Sequence, residues 1–287
     1  MLRVTALYVY PVKSCRGLAV ESALVDARGF AGDRRYMVVD AQGQFLTQRV
    51  HPRMALIETA LTAENLTLSY PSRGSVSVSL SGFRSPVSGI DSPVSALRSP
   101  VYSVSVWKDS VTADDCGEAP AQWLGDFLGL SCRLVRAGLA YSRPIPRRKI
   151  PAGLQGPDGS PHEVSFADAF PFLVIAEESL ADLNARLDAP VPMDRFRPNL
   201  VVAGGAPYAE DTWSRFRIGE VVFHGATRCG RCVVTTTDQL TAERAQEPLR
   251  TLASYRRDAE GAMMFGRNLI HETKTGRVSV GDAVELL

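Results

Sequence analysis

Two cysteines, Cys229 and Cys232, stand three apart in "GATRCGRCVVTTTD", with Arg231 between them. Such a pair can hold zinc, exchange disulfides, supply half of an iron–sulfur site, or give one thiolate to a metal carried by an organic cofactor. A structural zinc site or a four-cysteine cluster needs two further ligands close in space. Cys15, Cys116 and Cys132 are isolated in sequence, and His51, His162, His224 and His271 show no paired spacing. A dithiol oxidoreductase places its pair at a helix start. Here "VVTTTD" follows, and its β-branched residues favour strand. The non-chemical alternative is two small apolar residues in a core strand. Arg231 speaks against it, because an adjacent cation favours the thiolate. The single-thiolate reading needs no second pair, but it needs a cradle of cations and backbone N–H groups if the cofactor is anionic.

Four short stretches offer such groups: Lys13 and Ser14 in "YPVKSC", Arg34 and Arg35 in "GDRRY", Arg197 and Asn199 in "RFRPN", and Gly266 and Asn268 in "FGRN". Taken singly, each reads as a solvated cation or an ordinary turn.

The elements that must position these groups are mostly strands. "LRVTALYVY" is a strand, "RYMVVDAQGQFLTQRV" a hairpin about Ala41–Gln44, and "LTLSY", "GSVSVSL" and "VYSVSVW" further strands. Residues 72–100 are rich in Ser, Pro and Gly and read as loop or irregular edge strands. "EAPAQWLGDFLGL" is a helix with Trp123, Leu124, Phe127 and Leu128 on one face and Gly129 at its end. "CRLVRA" returns to strand. "SRPIPRRKIPAGLQGPDGSPHE" predicts a long exposed loop and a domain boundary, dividing residues 1–145 from 146–287. Beyond it, "FPFLVIA" and "NLVVAGG" are strands, and "ESLADLNARL" is a helix capped by Ser179 with Leu180, Leu183 and Leu187 on one face. "FRIGEVVFHGA" holds a tight turn between strands, "EPLRTLASYRR" is a helix with Pro248 in its first turn, and "GRVSVGDAVELL" is a hairpin-like pair. The pattern is α+β, β-rich and barrel-like.

Over 287 residues, 32 basic side chains face 31 acidic ones, a net charge of +1. That balance argues against a general nucleic-acid partner. No run approaches ~20 apolar residues and no secretory signal is visible, so neither a membrane span nor export is expected. Five cysteines without an export signal fit a reducing, cytoplasmic setting.

The motifs together are more specific than any one of them. In order, YPVKSC, GDRRYMVV, TQR, DCGEA with Gln122-Trp123, PFLVIAEESLADLN, FRPN, Glu210-Asp211-Thr212-Trp213, CGRC with TTTD, EPL with LASYR, FGRN and VGD resemble the MOSC proteins, named for the C-terminal domain of molybdenum cofactor sulfurases. Within them the chain is most similar to amidoxime-reducing components and YcbX-type bacterial reductases. The resemblance implies a MOSC N-terminal β-barrel-like domain followed by a MOSC β-barrel domain with short helices. It implies a molybdenum cofactor, a phosphate-bearing pterin dithiolene, with Cys232 as metal ligand. It places Lys13, Ser14, Arg34, Arg197, Asn199, Gly230, Arg231 and Asn268 on cofactor-holding positions, with Cys229 as the more dispensable cysteine. The implied activity is reduction of N-hydroxylated compounds such as amidoximes and hydroxylamines; the alternative is a carrier or sulfur-transfer module for the cofactor.

Two departures stand out. Asp168, Ala169 and Phe170 replace small hydroxyl residues of the mitochondrial relatives, which implies a more apolar pocket and leaves Asp168 as a positional candidate for proton donor. No cysteines are present for the iron–sulfur domain that bacterial relatives often add. Electrons are therefore expected from a separate donor, whether ferredoxin, flavoprotein or cytochrome b5-like protein.

Overall fold

A computed structural model describes residues 1–80, 100–156 and 159–287. The first half holds β1 (Arg3–Val9), β2 (Leu18–Val20), β3 (Ser22–Asp26), β4 (Gly29–Phe30), β5 (Tyr36–Asp40), β6 (Glu58–Leu61), β7 (Asn65–Tyr70), β8 (Gly74–Ser79), β9 (Val101–Val106), β10 (Asp109–Asp115), helix α1 (Glu118–Leu128) and β11 (Cys132–Arg136). The second half holds β12 (Phe172–Ala176), α2 (Glu177–Asn184), β13 (Leu200–Ala203), β14 (Arg215–Ile218), β15 (Val221–Arg231), α3 (Leu249–Tyr255), β16 (Met263–His271), β17 (Arg277–Ser279) and β18 (Val284–Leu286). The β-rich α+β reading holds.

One eight-stranded sheet runs β18-β14-β15-β16-β12-β13-β1-β2, so the first strand of the chain lies among the last ones. A four-stranded sheet, β5-β11-β10-β9, and two three-stranded sheets, β17-β3-β4 and β6-β7-β8, complete the fold. Strands β12 and β13 are parallel, joined through α2; the other pairings within named strands are antiparallel.

Two apolar runs are continuous because both faces of their strands are covered. In β12, Phe172, Val174 and Ala176 face one cluster, and Leu173 and Ile175 face another. In β5, Tyr36 and Val38 pack on the α1 side while Met37 and Val39 pack against β9–β11. A run without polar alternation is what two-sided burial requires. Phe172 anchors the larger sheet, edge-on to Phe30 at 4.9 Å and to Phe223 at 5.2 Å. Each such pair contributes about 0.5–1.5 kcal/mol beyond the area it buries.

Several expectations change. After β5 the chain does turn back about Ala41–Gln44, but the second arm is short: Phe45 bridges to Val39, the Asp40 N–H donates to the Gln44 carbonyl at 2.9 Å and the Leu46 N–H to the Val38 carbonyl at 2.8 Å. It then turns at Thr47–Val50, which carries Gln48 inward. Ser179 does not cap α2; it lies inside the helix, donates to Glu210 at 2.8 Å and accepts the Tyr208 N–H. The 142–163 segment is not simply exposed, because Arg143, Ile145, Leu154 and His162 are buried. Strands β17 and β18 do not pair with each other; one joins β3 and the other β14. Gly266 and Asn268 lie within β16, not in a turn. Of the Ser/Pro/Gly-rich stretch 72–100, residues 81–99 lie outside the described residues, and Gly74–Ser79 form strand β8. Among the described residues no helix is long and apolar enough to cross a membrane.

Candidate functional site

Strand β15 carries Cys229, Gly230 and Arg231 to its end, and Cys232 follows in extended conformation. The β-branched run then forms a single 3-10 turn, Val233–Thr236, and not a strand. Its threonines explain this. Thr235 and Thr236 donate their hydroxyls to the carbonyls of Cys232 and Val233, a local bond that competes with strand pairing.

All ten residues expected at the site line one pocket: Lys13, Ser14, Arg34, Asp168, Arg197, Asn199, Gly230, Arg231, Cys232 and Asn268. The pocket is a cleft open on one side to solvent. Cys229 and Cys232 both line it. The other three cysteines are structural. Burial pushes the thiols of Cys15 and Cys116 up to about 12, and that of Cys132 up to about 11. Among the described residues no group of three or more His, Cys, Asp or Glu could hold a metal by itself, which leaves the zinc reading without further ligands.

Three of the pocket residues adopt left-handed backbone: Ser14 (φ 69°), Arg34 (φ 49°) and Arg197 (φ 55°). Such conformations cost of order 1–3 kcal/mol each and gather at functional sites. Arg34 and Arg197 stand 4.4 and 4.3 Å from the same Tyr10 ring. Arg34 is paired with Asp33 at 2.7 Å. Among the described residues Arg197 has no such carboxylate partner, and its Nη2 is buried without a hydrogen bond. Burial lowers its pKa, and the Arg34 charge adds to that.

Asn199 works differently from expectation. Its Oδ1 accepts from Arg34 at 3.1 Å and from the Leu173 N–H, and its Nδ2 donates to Asp33 and to the Tyr8 carbonyl. That uses the whole hydrogen-bonding capacity of an amide. Asn199 therefore fixes Arg34 and Asp33 and does not offer its side chain to a ligand. Asn268 donates its Nδ2–H to the Thr227 hydroxyl at 3.2 Å and lines the pocket.

Arg231 points its Nη1 at the sulfur of Cys229, at 2.9 Å, and its Nη2 at the Phe196 carbonyl, at 2.6 Å. Its Nε is buried without a partner.

The Asp168 wall is charged, not apolar. Lys13 is 5% exposed. It donates to the Phe166 carbonyl at 2.7 Å and to the Asp168 carboxylate. Arg49 donates to the other Asp168 oxygen at 3.1 Å, and Trp107 Nε1 reaches Asp168 at 3.3 Å. Burial acts to raise the Asp168 pKa, but its side chain is 54% exposed and the two cations outweigh that effect. They hold the carboxyl well below the usual carboxylate range. Asp168 is therefore an ionised acceptor, and the proton-donor expectation for it is corrected. Arg49 closes the TQR motif, but the sequence assigns it no place at the site: one arginine in a turn carries no periodic signal, and its partner lies 119 residues away.

The donor set suits an anionic cofactor with a soft metal. Lys13, Arg34, Arg49, Arg197 and Arg231 line the pocket against one lining carboxylate, Asp168. Orphaned guanidinium nitrogens on Arg197 and Arg231 await acceptors, and two free thiols stand beside them.

Residues 1–131 match the MOSC N-terminal beta barrel domain and residues 161–285 the MOSC domain. The chain is 37% identical over 297 residues to mitochondrial amidoxime-reducing component 1 of Mus musculus, spanning 99% of this chain and 82% of that protein. The Homo sapiens counterpart is 33% identical over 296 residues, with the same coverage. The molybdenum cofactor sulfurase of Danio rerio is 33% identical over 282 residues, spanning 94% of this chain and 32% of that protein. With these matches over nearly its whole length, the chain belongs to the MOSC family.

Proposed function

We propose that this protein is a molybdenum-cofactor-dependent reductase of N-hydroxylated compounds. The observation that carries the reading is the excess of cations around a free cysteine, with the Arg197 Nη2 buried and unpartnered. In this reading Cys232 supplies the thiolate ligand. Lys13, Ser14, Arg34 and Arg197 hold the phosphate and pterin, with charge-assisted bonds suited to anionic oxygens. When bound, the cofactor supplies two-electron removal of oxygen from an N–OH group, yielding amine or amidine and, once protons are taken up, water. The ionised Asp168 carboxylate accepts a hydrogen bond from a substrate N–H or O–H, which orients the N–OH group in the pocket. Electrons come from a separate donor protein. The relatives named amidoxime-reducing components support this assignment.

The sulfurase relative favours a second reading, in which the protein carries the cofactor without turning over a substrate. One experiment separates the two. The protein is purified from a cofactor-producing host, its molybdenum and pterin are measured, and benzamidoxime reduction is followed with a chemical electron donor. Multiple turnovers support the reductase. Stoichiometric transfer of cofactor to an apo-enzyme without turnover supports the carrier, and a molybdenum-free protein overturns both.

A further inference from the structure

Exposed apolar side chains stand around the open side of the cleft. Trp107 is exposed, and its Nε1 reaches Asp168 at 3.3 Å. Val50 follows Arg49, Val233 follows Cys232, and both are exposed. Asp168, Arg49 and Cys232 all line the pocket, so three separate segments bring apolar groups to its mouth. Trp107 opens the two-residue loop between β9 and β10 with φ 60°. That conformation costs an aromatic residue roughly 1–2 kcal/mol relative to glycine. Phe45 braces the ring edge-on at 5.0 Å. A braced indole held in water at an unfavourable backbone angle is a ready anchor for a partner.

One flank of the mouth is basic. Lys108 is the second residue of the Trp107 loop and is exposed. Arg147, Arg148 and Lys149 form one 3-10 turn, none of them buried. The Lys149 ammonium stands 5.9 Å from the Phe170 ring, which lines the pocket. Asp109 and Arg147 line a common cleft, so the loop and the turn are neighbours. Among the described residues none of these four cations makes an ion pair; Arg147 donates to the Leu154 carbonyl at 3.2 Å. The carboxylates close by are already paired, Asp109 with the buried Arg143 at 2.7 Å and Asp168 with Lys13 and Arg49. In a chain of net charge +1, these unpaired cations are a local feature of this flank.

We infer that this face is where the electron donor docks, and that the donor is a small acidic one-electron carrier protein. The inference rests on the proposed function, which requires electrons from a separate protein. A carrier seated over the mouth brings its redox centre toward Cys232. Its carboxylates face Lys108 and the Arg147–Lys149 turn, and Trp107, Val50 and Val233 give it an apolar contact. An apolar centre with a polar border is the build of a transient interface. Redox pairs meet over small areas and must part after each electron. Unpaired surface cations suit that need, because they speed encounter more than they tighten the complex. A nucleic acid would call for more cations, spaced along a phosphate backbone.

The test follows benzamidoxime reduction by the holoprotein with two donors. One is a reduced, acidic plant-type ferredoxin; the other is reduced methyl viologen, a small cation that needs no docking face. Ferredoxin kcat/KM is expressed relative to the viologen rate, so that any damage to the pocket cancels. In the parent this ratio is expected to fall as ionic strength rises. Lys108→Glu and Arg148→Glu should each lower it roughly tenfold at low salt and flatten its salt dependence. Arg3→Glu makes the same change of charge at the end of β1 away from the pocket, and its ratio is expected to match the parent's. A salt-independent ratio, turnover with viologen but not with ferredoxin, parental ratios in both Lys108→Glu and Arg148→Glu, or an equal fall in Arg3→Glu overturns the docking site and leaves the proposed function standing. Duplex DNA bound by the parent, lost in Arg148→Glu and not displaced by ferredoxin, assigns the flank to nucleic acid and overturns it too. A parent that reduces benzamidoxime with neither donor overturns both.

Discussion

Arg231 donates to the sulfur of Cys229, not to that of Cys232. The two cysteines of the CxxC pair thus stand in different surroundings. Cys229 packs against the apolar cluster that includes Phe196 and Phe265 and accepts from Arg231, which in the proposed reading leaves Cys232 to the ligand. Replacing each should have unequal effects. Cys232→Ser is expected to abolish the molybdenum–thiolate signature. Cys229→Ala removes one acceptor from Arg231, a charge-assisted bond contributing about 1.5–3 kcal/mol. Part of that loss should appear as roughly tenfold weaker cofactor retention, with the thiolate signature intact. Cofactor content after dialysis, measured beside the metal spectrum, checks the contrast; equal loss in both variants would contradict it.

Arg197 makes a prediction about the empty pocket. A buried guanidinium nitrogen without an acceptor opposes folding, and the nearby Arg34 charge adds to the penalty. In Arg197→Met the cofactor-free protein should therefore unfold at a temperature no lower than the parent's, while cofactor binding collapses. Thermal unfolding with and without cofactor decides it. A fall of several degrees in the cofactor-free variant would make Arg197 a structural residue held by its Tyr10 contact.

The residues that gather at the candidate site were legible only from the order of the motifs and the resemblance it carries, since each motif alone read as a solvated cation or an ordinary turn. Lys13, Arg34 and Arg197 all line the pocket. Arg49, though part of the TQR motif, has no place at the pocket that the sequence could show, because that place depends on long-range geometry, a turn pinned by Gln48 to Gln239, 191 residues away. The "VVTTTD" run misled for a local reason: threonine hydroxyls bonding to nearby carbonyls outweighed β propensity over four residues. The last two strands looked like a hairpin because their partners, β3 and β14, are distant in sequence and periodicity holds no record of pairing.

Gly266 is where a methyl group should do most damage in β16. Its φ is +78°, and a Cβ there would lie 2.6 Å from Ile175 Cγ1 and 2.8 Å from the Val174 carbonyl oxygen. Gly266→Ala carries about 1–2 kcal/mol for the left-handed backbone and about 1–3 kcal/mol for overpacking β12. Denaturant midpoints should drop accordingly with an unchanged slope. The same strand holds Asn268 at the pocket, so cofactor retention should fall as well. A variant as stable as the parent would show that β16 tolerates a side chain at position 266.

His162 and His271 set the acid limit of stability. His271 donates its Nε2–H to the Asp26 carbonyl at 2.7 Å. The Lys274 ammonium lies 3.0 Å from His162 Nδ1 and donates to the His271 carbonyl at 2.6 Å. Burial first, and the Lys274 charge second, lower the His162 pKa to about 4 and the His271 pKa to about 3. Both rings are therefore neutral in the folded protein at pH 6, whereas unfolded histidines begin to protonate near pH 6.5. The unfolded chain then binds more protons, so stability is fully present above about pH 6.5 and falls as pH drops toward the folded values. His162→Gln keeps an acceptor for Lys274 and removes the titration. Between pH 6.5 and 4 its stability should fall less steeply than the parent's, by about one proton in the slope. Urea titrations at several pH values measure that slope, and parallel curves for variant and parent would show that His162 titrates alike in both states.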